Sequence, residues 1–229
     1  MTKYADYFPT AHEVDINGSM IKVYNHMASG VLISGATAWL IAQSPELINT
    51  LFHTWLMWPV ILMPLAFVLA MSFGAHAFSA ATLGVLFYLY SIANGAALSL
   101  LFAVYTGGSV ATAFFVSAAL FGSMSIYGYT TGRSLESFGQ FLFIGLIGIM
   151  IAGIVNIFLH NSMLQMVISS LAVLIFVGLT AYDTQVIKDG FYENSEDPRK
   201  AEVMGALTLY LDFINIFVNL LQLIGAKKD

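Results

Sequence analysis

A single bundle of seven transmembrane α-helices, six of them wrapped around a polar C-terminal helix, is the fold class this 229-residue sequence predicts. Three observations predict it. Only 9% of the residues are charged, while 59% are apolar and 14% aromatic, a balance at which a soluble domain of this size would not stay in solution. Seven apolar stretches are long enough for a helix to cross a hydrocarbon core about 30 Å thick, which takes about 20 residues. The last of them carries a polar residue at every third or fourth position: Gly205, Thr208, Asp212, Asn215, Asn219 and Gln222.

Residues 1 to 20 read as a short N-terminal tail, with Asp6, Glu13 and Asp15 against Lys3, and residues 21 to 229 as one transmembrane domain. The first apolar run starts too late and is too poorly flanked for a signal peptide. Spans are expected near 23 to 42, 54 to 73, 79 to 104, 109 to 130, 138 to 159, 163 to 187 and 203 to 225. Trp39, Trp55 and Trp58 fall toward the outer ends of the first two spans, where indole rings anchor in the interface. Short turns, Thr106 to Ser109 and His160 to Ser162, make neighbouring spans antiparallel. Gly30, Gly35, Gly84, Ala93, Gly95, Ala97, Ser99, Gly145 and Gly148 are small residues that let helices approach closely. The loop from Lys188 to Asp197 is acidic and ends in an N-cap followed by proline, so the last helix starts near Pro198.

Orientation follows from the basic residues. One side of the membrane receives Lys3, Lys22, Arg133, Lys188, Arg199 and Lys200, the other only Lys227 and Lys228. This puts the N-terminus in the cytoplasm and the C-terminus outside. The net charge of −5 is no partner signal in a chain with so few charges, and nothing points to nucleic acid. There is no cysteine, hence no disulfide or thiol chemistry. No phosphate-binding glycine loop, zinc spacing or nucleophile motif occurs, and His12, His26, His53 and His160 lack metal-ligand spacing. The chain reads as a non-enzyme without a resident cofactor.

The offsets within the last span run 3, 4, 3, 4, 3, and a seven-residue repeat drifts only about 20° per heptad on a straight helix, so the polar residues form one seam. Its thirteen strongly apolar side chains favour insertion by only about 4 to 8 kcal/mol, against roughly 2.5 to 3.5 kcal/mol for Asp212 alone. Such a helix is marginal in lipid and belongs inside the bundle. Only one other acid, Asp183, falls inside an apolar span. Asp212 lies roughly 21 Å along its helix from Pro198, so the two aspartates can meet in the cytoplasmic half. Two carboxylates together in a poorly solvated site cannot both stay charged; the pair titrates as a unit, and a shared proton clasps the two helices. Intramembrane carboxylates of this kind mark ion or proton pathways more often than they serve as adhesive. Asn94, Tyr127 and Tyr129 are candidate partners facing the seam.

These residues resemble a known family. Gly178-Leu-Thr-Ala-Tyr-Asp-Thr-Gln-Val-Ile-Lys188 and Gly205-Ala-Leu-Thr-Leu-Tyr-Leu-Asp-Phe-Ile-Asn215, with Asn219 following, are similar to the closing signature of the Bax inhibitor-1 family. Met63-Pro-Leu-Ala66, Gly95-Ala-Ala-Leu-Ser99 and Ser125-Ile-Tyr-Gly-Tyr-Thr-Thr131 echo its bacterial branch. The resemblance implies two three-helix layers around the C-terminal helix, location in a bacterial inner membrane, and a pH-sensitive calcium leak governed by a hydrogen-bonded pair matching Asp183 and Asp212. It also implies a possible partner class, since one bacterial relative modulates a membrane-bound ATP-dependent protease. Two positions depart from the family pattern. Ser134 stands where relatives carry an aspartate, and the second span lacks the arginine that latches the pair in some relatives, leaving His76 as the nearest candidate latch.

As a calcium leak, the chain would offer Ca²⁺ weak, transient coordination by Asp183 and Asp212, supplemented by oxygens of Thr208, Asn215 and Asn219, with Gln222 completing the seam. The alternative is a membrane-embedded interaction protein that modulates a membrane-bound protease and uses the seam only as adhesive. An intramembrane aspartyl protease fits poorly, because Leu209, Tyr210 and Leu211 precede Asp212 where such enzymes need Gly-x-Gly.

Overall fold

In the computed structural model, residues 16–192 and 197–228 are described, and they form eight helices. These are α1 (Ile16–Ala42), α2 (Pro45–Phe52), α3 (Met57–Gly74), α4 (Ala80–Val104), α5 (Gly107–Thr130), α6 (Glu136–Leu159), α7 (Ser162–Tyr192) and α8 (Pro198–Ile224). Six helices are long and apolar enough to cross a membrane, or seven if α1 and α2, bent by 103° at their junction, count as one span. The acidic residues and Lys3 of the N-terminal tail lie outside the described residues, as does the centre of the loop before α8.

Each expected span has a helix, and the differences lie at the ends. Residues 16 to 20, read from sequence as tail, already belong to α1, where Ser19 and Met20 are buried. The segment from Lys188 to Tyr192, read as loop, continues α7. The short helix α2 has no counterpart in the sequence reading. Ser44 caps it by accepting from Leu47 N at 3.3 Å, Pro45 fills its first turn, and Phe52 is its buried contact. The tryptophans at positions 39, 55 and 58 are exposed around this region, as interfacial anchors should be.

The cap before α8 forms as expected: Asp197 Oδ1 accepts from Arg199 N at 3.1 Å, and Pro198 opens the helix. Thr106 caps α5 and Ser79 caps α4 by the same chemistry. His160 ends α6 in the left-handed region at φ 50°, and Asn156 steadies the turn by accepting from Asn161 N at 3.1 Å.

α8 is the innermost helix. Half of its apolar window is buried, against 6% for α3 and 11% for α6. It packs along α1, α4, α5 and α7, while α3 packs on α4 and α6 on α7. Four helices rather than six thus line α8, with α3 and α6 one layer out. The physical reason is compositional. α6 is the most apolar of the candidate spans, so its surface can face lipid, whereas the polar groups of α8 cannot.

Small residues allow the closest approaches, though not at every expected position. A Cβ on Gly95 would meet the Ser34 carbonyl oxygen at 2.6 Å, and one on Gly30 the Phe87 ring at 2.6 Å. A Cβ on Gly128 would collide with the main chain of Ala181, and one on Gly139 with the ring of Tyr182. At Gly35, Gly84 and Gly148 an added Cβ would meet only open space, so no close approach depends on glycine there.

Candidate functional site

The polar seam of α8 is directed at one helix, α7, which runs antiparallel to it. Gly205 lies against Ile187, Asp212 beside Asp183, and Gln222 against Ser169 and Gln165. As the α8 number rises the α7 number falls, the register that two antiparallel helices require. At the far end Gln222 Oε1 accepts from Ser169 Oγ and from Gln165 Nε2, both at 2.9 Å.

Within the seam, three side chains satisfy themselves locally. Thr208 Oγ1 donates to Met204 O at 3.2 Å, Asn215 Nδ2 to Leu211 O at 2.8 Å, and Asn219 Nδ2 to Asn215 O at 2.9 Å. All three are half-buried. Each thereby spends one hydrogen on its own helix, and a second N–H and the side-chain oxygen remain on each of the two asparagine amides.

Asp212 differs. It is 3% exposed, and its Oδ2 is the one buried side-chain polar atom among the described residues with no hydrogen-bond donor. The acid beside it is the half-buried Asp183, on the facing side of α7. Two ionised carboxylates can only accept, so a hydrogen bond between them needs a proton on one.

The turn of α7 that carries Asp183 is fixed by its neighbours. Gln185 donates from Nε2 to Arg133 O at 2.9 Å and accepts from Leu135 N at 2.8 Å, pinning the α5–α6 connection. Lys188 Nζ donates to Tyr129 O at 2.9 Å. Thr184 Oγ1 lies 3.0 Å from Ser125 Oγ, which is 2.6 Å from Tyr24 OH. This hydroxyl chain was not legible in the sequence, because nothing local to Tyr24 or Ser125 says that they share a height in the bundle.

Several sequence expectations fall elsewhere. Asn94 lies on the opposite side of α8 from the seam, donating to Tyr210 OH at 2.7 Å, while Tyr210 OH also pairs with Ser34 Oγ at 2.6 Å. Tyr127 is exposed and points away from the seam, and Tyr129 donates to Asn17. His76 is exposed at the end of α3, and its only hydrogen bond among the described residues is accepted by its main-chain carbonyl, from Lys200 Nζ. That contact joins the segment after α3 to the first turn of α8, ahead of Asp212 in the chain.

Sequence reasoning also missed a second fully buried acid. Glu202, 4% exposed, accepts from Lys22 Nζ at 3.0 Å and from Ser19 Oγ at 3.3 Å, tying the first turns of α1 and α8 together. The available signal was Lys22, a lone cation entering an apolar run. No group of three or more His, Cys, Asp or Glu side chains that could hold a metal occurs among the described residues.

The fold and the seam define a polytopic helical membrane protein whose buried last helix turns a polar face, with an intramembrane carboxyl in it, toward α7. The chain belongs to the Bax inhibitor-1 family: the family model described as inhibitor of apoptosis-promoting Bax1 matches residues 16–229. It is 42% identical to the inner membrane protein YbhL of Escherichia coli K12 over 214 residues, covering 91% of this chain and 92% of the relative. An uncharacterized protein, RP147, of Rickettsia prowazekii is 40% identical over 212 residues, covering 92% of this chain and 90% of that protein. A Caulobacter vibrioides protein is 38% identical over 237 residues, covering 98% and 95%.

Proposed function

We propose that this protein is a pH-sensitive calcium leak of the bacterial inner membrane, gated where α7 meets α8 by Asp183 and Asp212. The observation that carries the reading is Asp212 Oδ2, buried without a donor beside a second carboxyl. With one proton between them, the carboxyls form a hydrogen bond across the interface. Without it, two negative charges oppose each other in a poorly solvated site, and the α7–α8 contact weakens. The pair therefore gives this interface two arrangements selected by proton concentration.

In this reading α1 and α2 together form one of seven spans, two three-helix layers enclose α8, the N-terminus is cytoplasmic and the C-terminus outside. Calcium is cargo. Two carboxyls and the asparagine oxygens fall short of the six to eight oxygens of a storage site, which suits passage. The protein has no enzymatic role and no resident cofactor. The test is Ca²⁺ flux into liposomes across pH, for wild type and for Asp183→Asn with Asp212→Asn. Wild type should show a pH-dependent flux, and the double variant a pH-independent one. Equal profiles would remove the pair from the mechanism.

One observation favours a second reading. Gln222 bonds across to Ser169 and Gln165 of α7, which suits a seam that is adhesive only. The protein would then be a membrane-embedded partner that modulates a membrane-bound protease. Absence of flux at every pH, together with co-purification of such a protease, supports that reading over the first.

A further inference from the structure

α1 and α5 pack onto α8 from two directions and leave a lateral cleft of about 490 Å³ between them. Its walls are apolar, formed chiefly by Met20 and Ile21 of α1 and by Phe121 and Ile126 of α5, with Ser125 among the lining residues. The flanking side chains Ile21 and Ile126 are exposed, so in a membrane the cleft opens to lipid. Water would find few partners along such walls.

One end of the cleft is polar. Tyr129 donates there to Asn17, and Thr130 lies beside them. Two cations adjoin this end, Arg133 three residues after Thr130 in the chain and Lys188 against Tyr129. Arg133 is exposed and makes no ion pair among the described residues, and Lys188 holds its ammonium 5.5 Å over the Tyr129 ring. Asp189, 3.9 Å from Lys188, is largely exposed and offsets that charge weakly.

We infer that this cleft binds one anionic phospholipid, with an acyl chain between α1 and α5 and the phosphate at Arg133 and Lys188. The apolar wall, the lateral opening and the basic end match the three parts of such a molecule. Polar protein segments fail on the first, and neutral lipids gain nothing from the third. The bound chain would cover Ser125, whose hydroxyl reaches Thr184 beside Asp183, so the site touches the turn that carries the aspartate.

Gly122 provides the test. It lines the cleft, and a Cβ there meets nothing within 4 Å, so Gly122→Phe places a ring in the cleft without a main-chain collision. The full chain is reconstituted in phosphatidylcholine vesicles with or without phosphatidylglycerol, either lipid carrying a diazirine at mid-chain, and labelled positions are mapped after photolysis. Ile21, Phe121 and Ile126 should be labelled by the phosphatidylglycerol probe several-fold more than Phe141 and Ile144, exposed residues of α6 that report bulk lipid. Gly122→Phe should bring them to the α6 level, and Arg133→Gln with Lys188→Gln should remove the head-group preference. Wild-type labelling at the α6 level overturns the site, even if a variant fails to fold. So does enrichment that survives in folded Gly122→Phe, and enrichment equal with both probes overturns the anionic specificity.

Discussion

Removing Lys22 should destabilise the protein more than neutralising its partner Glu202, although Lys22 is the more exposed of the two. Its side chain is 58% exposed while that of Glu202 is 6% exposed, and the ion pair spans 3.0 Å. An exposed pair contributes only about 0 to 1 kcal/mol, whereas breaking a buried one by removing a single partner costs about 3 to 5 kcal/mol. This pair is mixed, with a buried acid and a solvated base. Lys22→Met leaves a buried carboxylate with only the Ser19 hydroxyl at 3.3 Å, so a cost of about 1 to 3 kcal/mol is expected, the penalty of an undersatisfied buried group. Glu202→Gln removes the charge that needed compensation and keeps an oxygen for Ser19 and Lys22, so about 1 kcal/mol or less is expected. The assay is reversible unfolding in mixed detergent micelles, read as a double-mutant cycle. The double variant should lie near Glu202→Gln alone, giving a coupling of about 1 to 3 kcal/mol, the whole cost of Lys22→Met. A Lys22→Met cost no greater than that of Glu202→Gln, or a coupling near zero, refutes the claim that the buried carboxylate dominates this contact.

Other substitutions test the packing around the site. Gly128→Leu should destabilise by about 1 to 3 kcal/mol, because its side chain meets the Ala181 main chain, which cannot rotate away. Gly122→Leu on the same helix should cost less than about 1 kcal/mol, since it faces open space, and thermal melts of the two separate overpacking from helix propensity. Tyr210→Phe deprives Asn94 Nδ2 of its acceptor and should cost about 1 to 2 kcal/mol by the same unfolding assay. Deleting residues 226 to 229 removes the bonds from Thr106 N to Ala226 O at 3.0 Å and from Lys228 N to Val104 O at 2.8 Å. Amide exchange should then quicken in the α4–α5 turn and remain unchanged in the turn around Gln185.

How far the sequence could be read depended on whether the signal was local. The seam is visible because Gly205 to Gln222 lie on one helix, and their spacing fixes a common face without any neighbour. Its direction is not visible, since which helix receives that face depends on the rotation of α8 and on who packs beside it. Asn94 shows the difference: a polar residue inside a span was expected to join the seam, and the rotation of α4 turns it to Tyr210 instead. Glu202 shows another limit. It stands two residues after Arg199 and Lys200 in what reads as a polar surface turn, and only the approach of α1 buries it. α2 was missed for a different reason, because Ser44, Pro45 and Glu46 carry a start signal that a search for membrane-length runs passes over.

By itself the sequence determined the membrane class, the positions of the spans, the caps at Asp197 and Pro198, and the presence of two acids where lipid would not tolerate them. Hydropathy and helical periodicity act residue by residue along one chain, so these needed no tertiary information. Only the tertiary structure decided that the face of α8 carrying Asp212 turns toward α7, that four helices rather than six line α8, that His76 sits exposed just beyond α3, and that a cleft remains between α1 and α5. Each depends on helix rotation and on close approach at a few residues such as Gly95 and Gly128, where steric contact between distant segments sets the geometry.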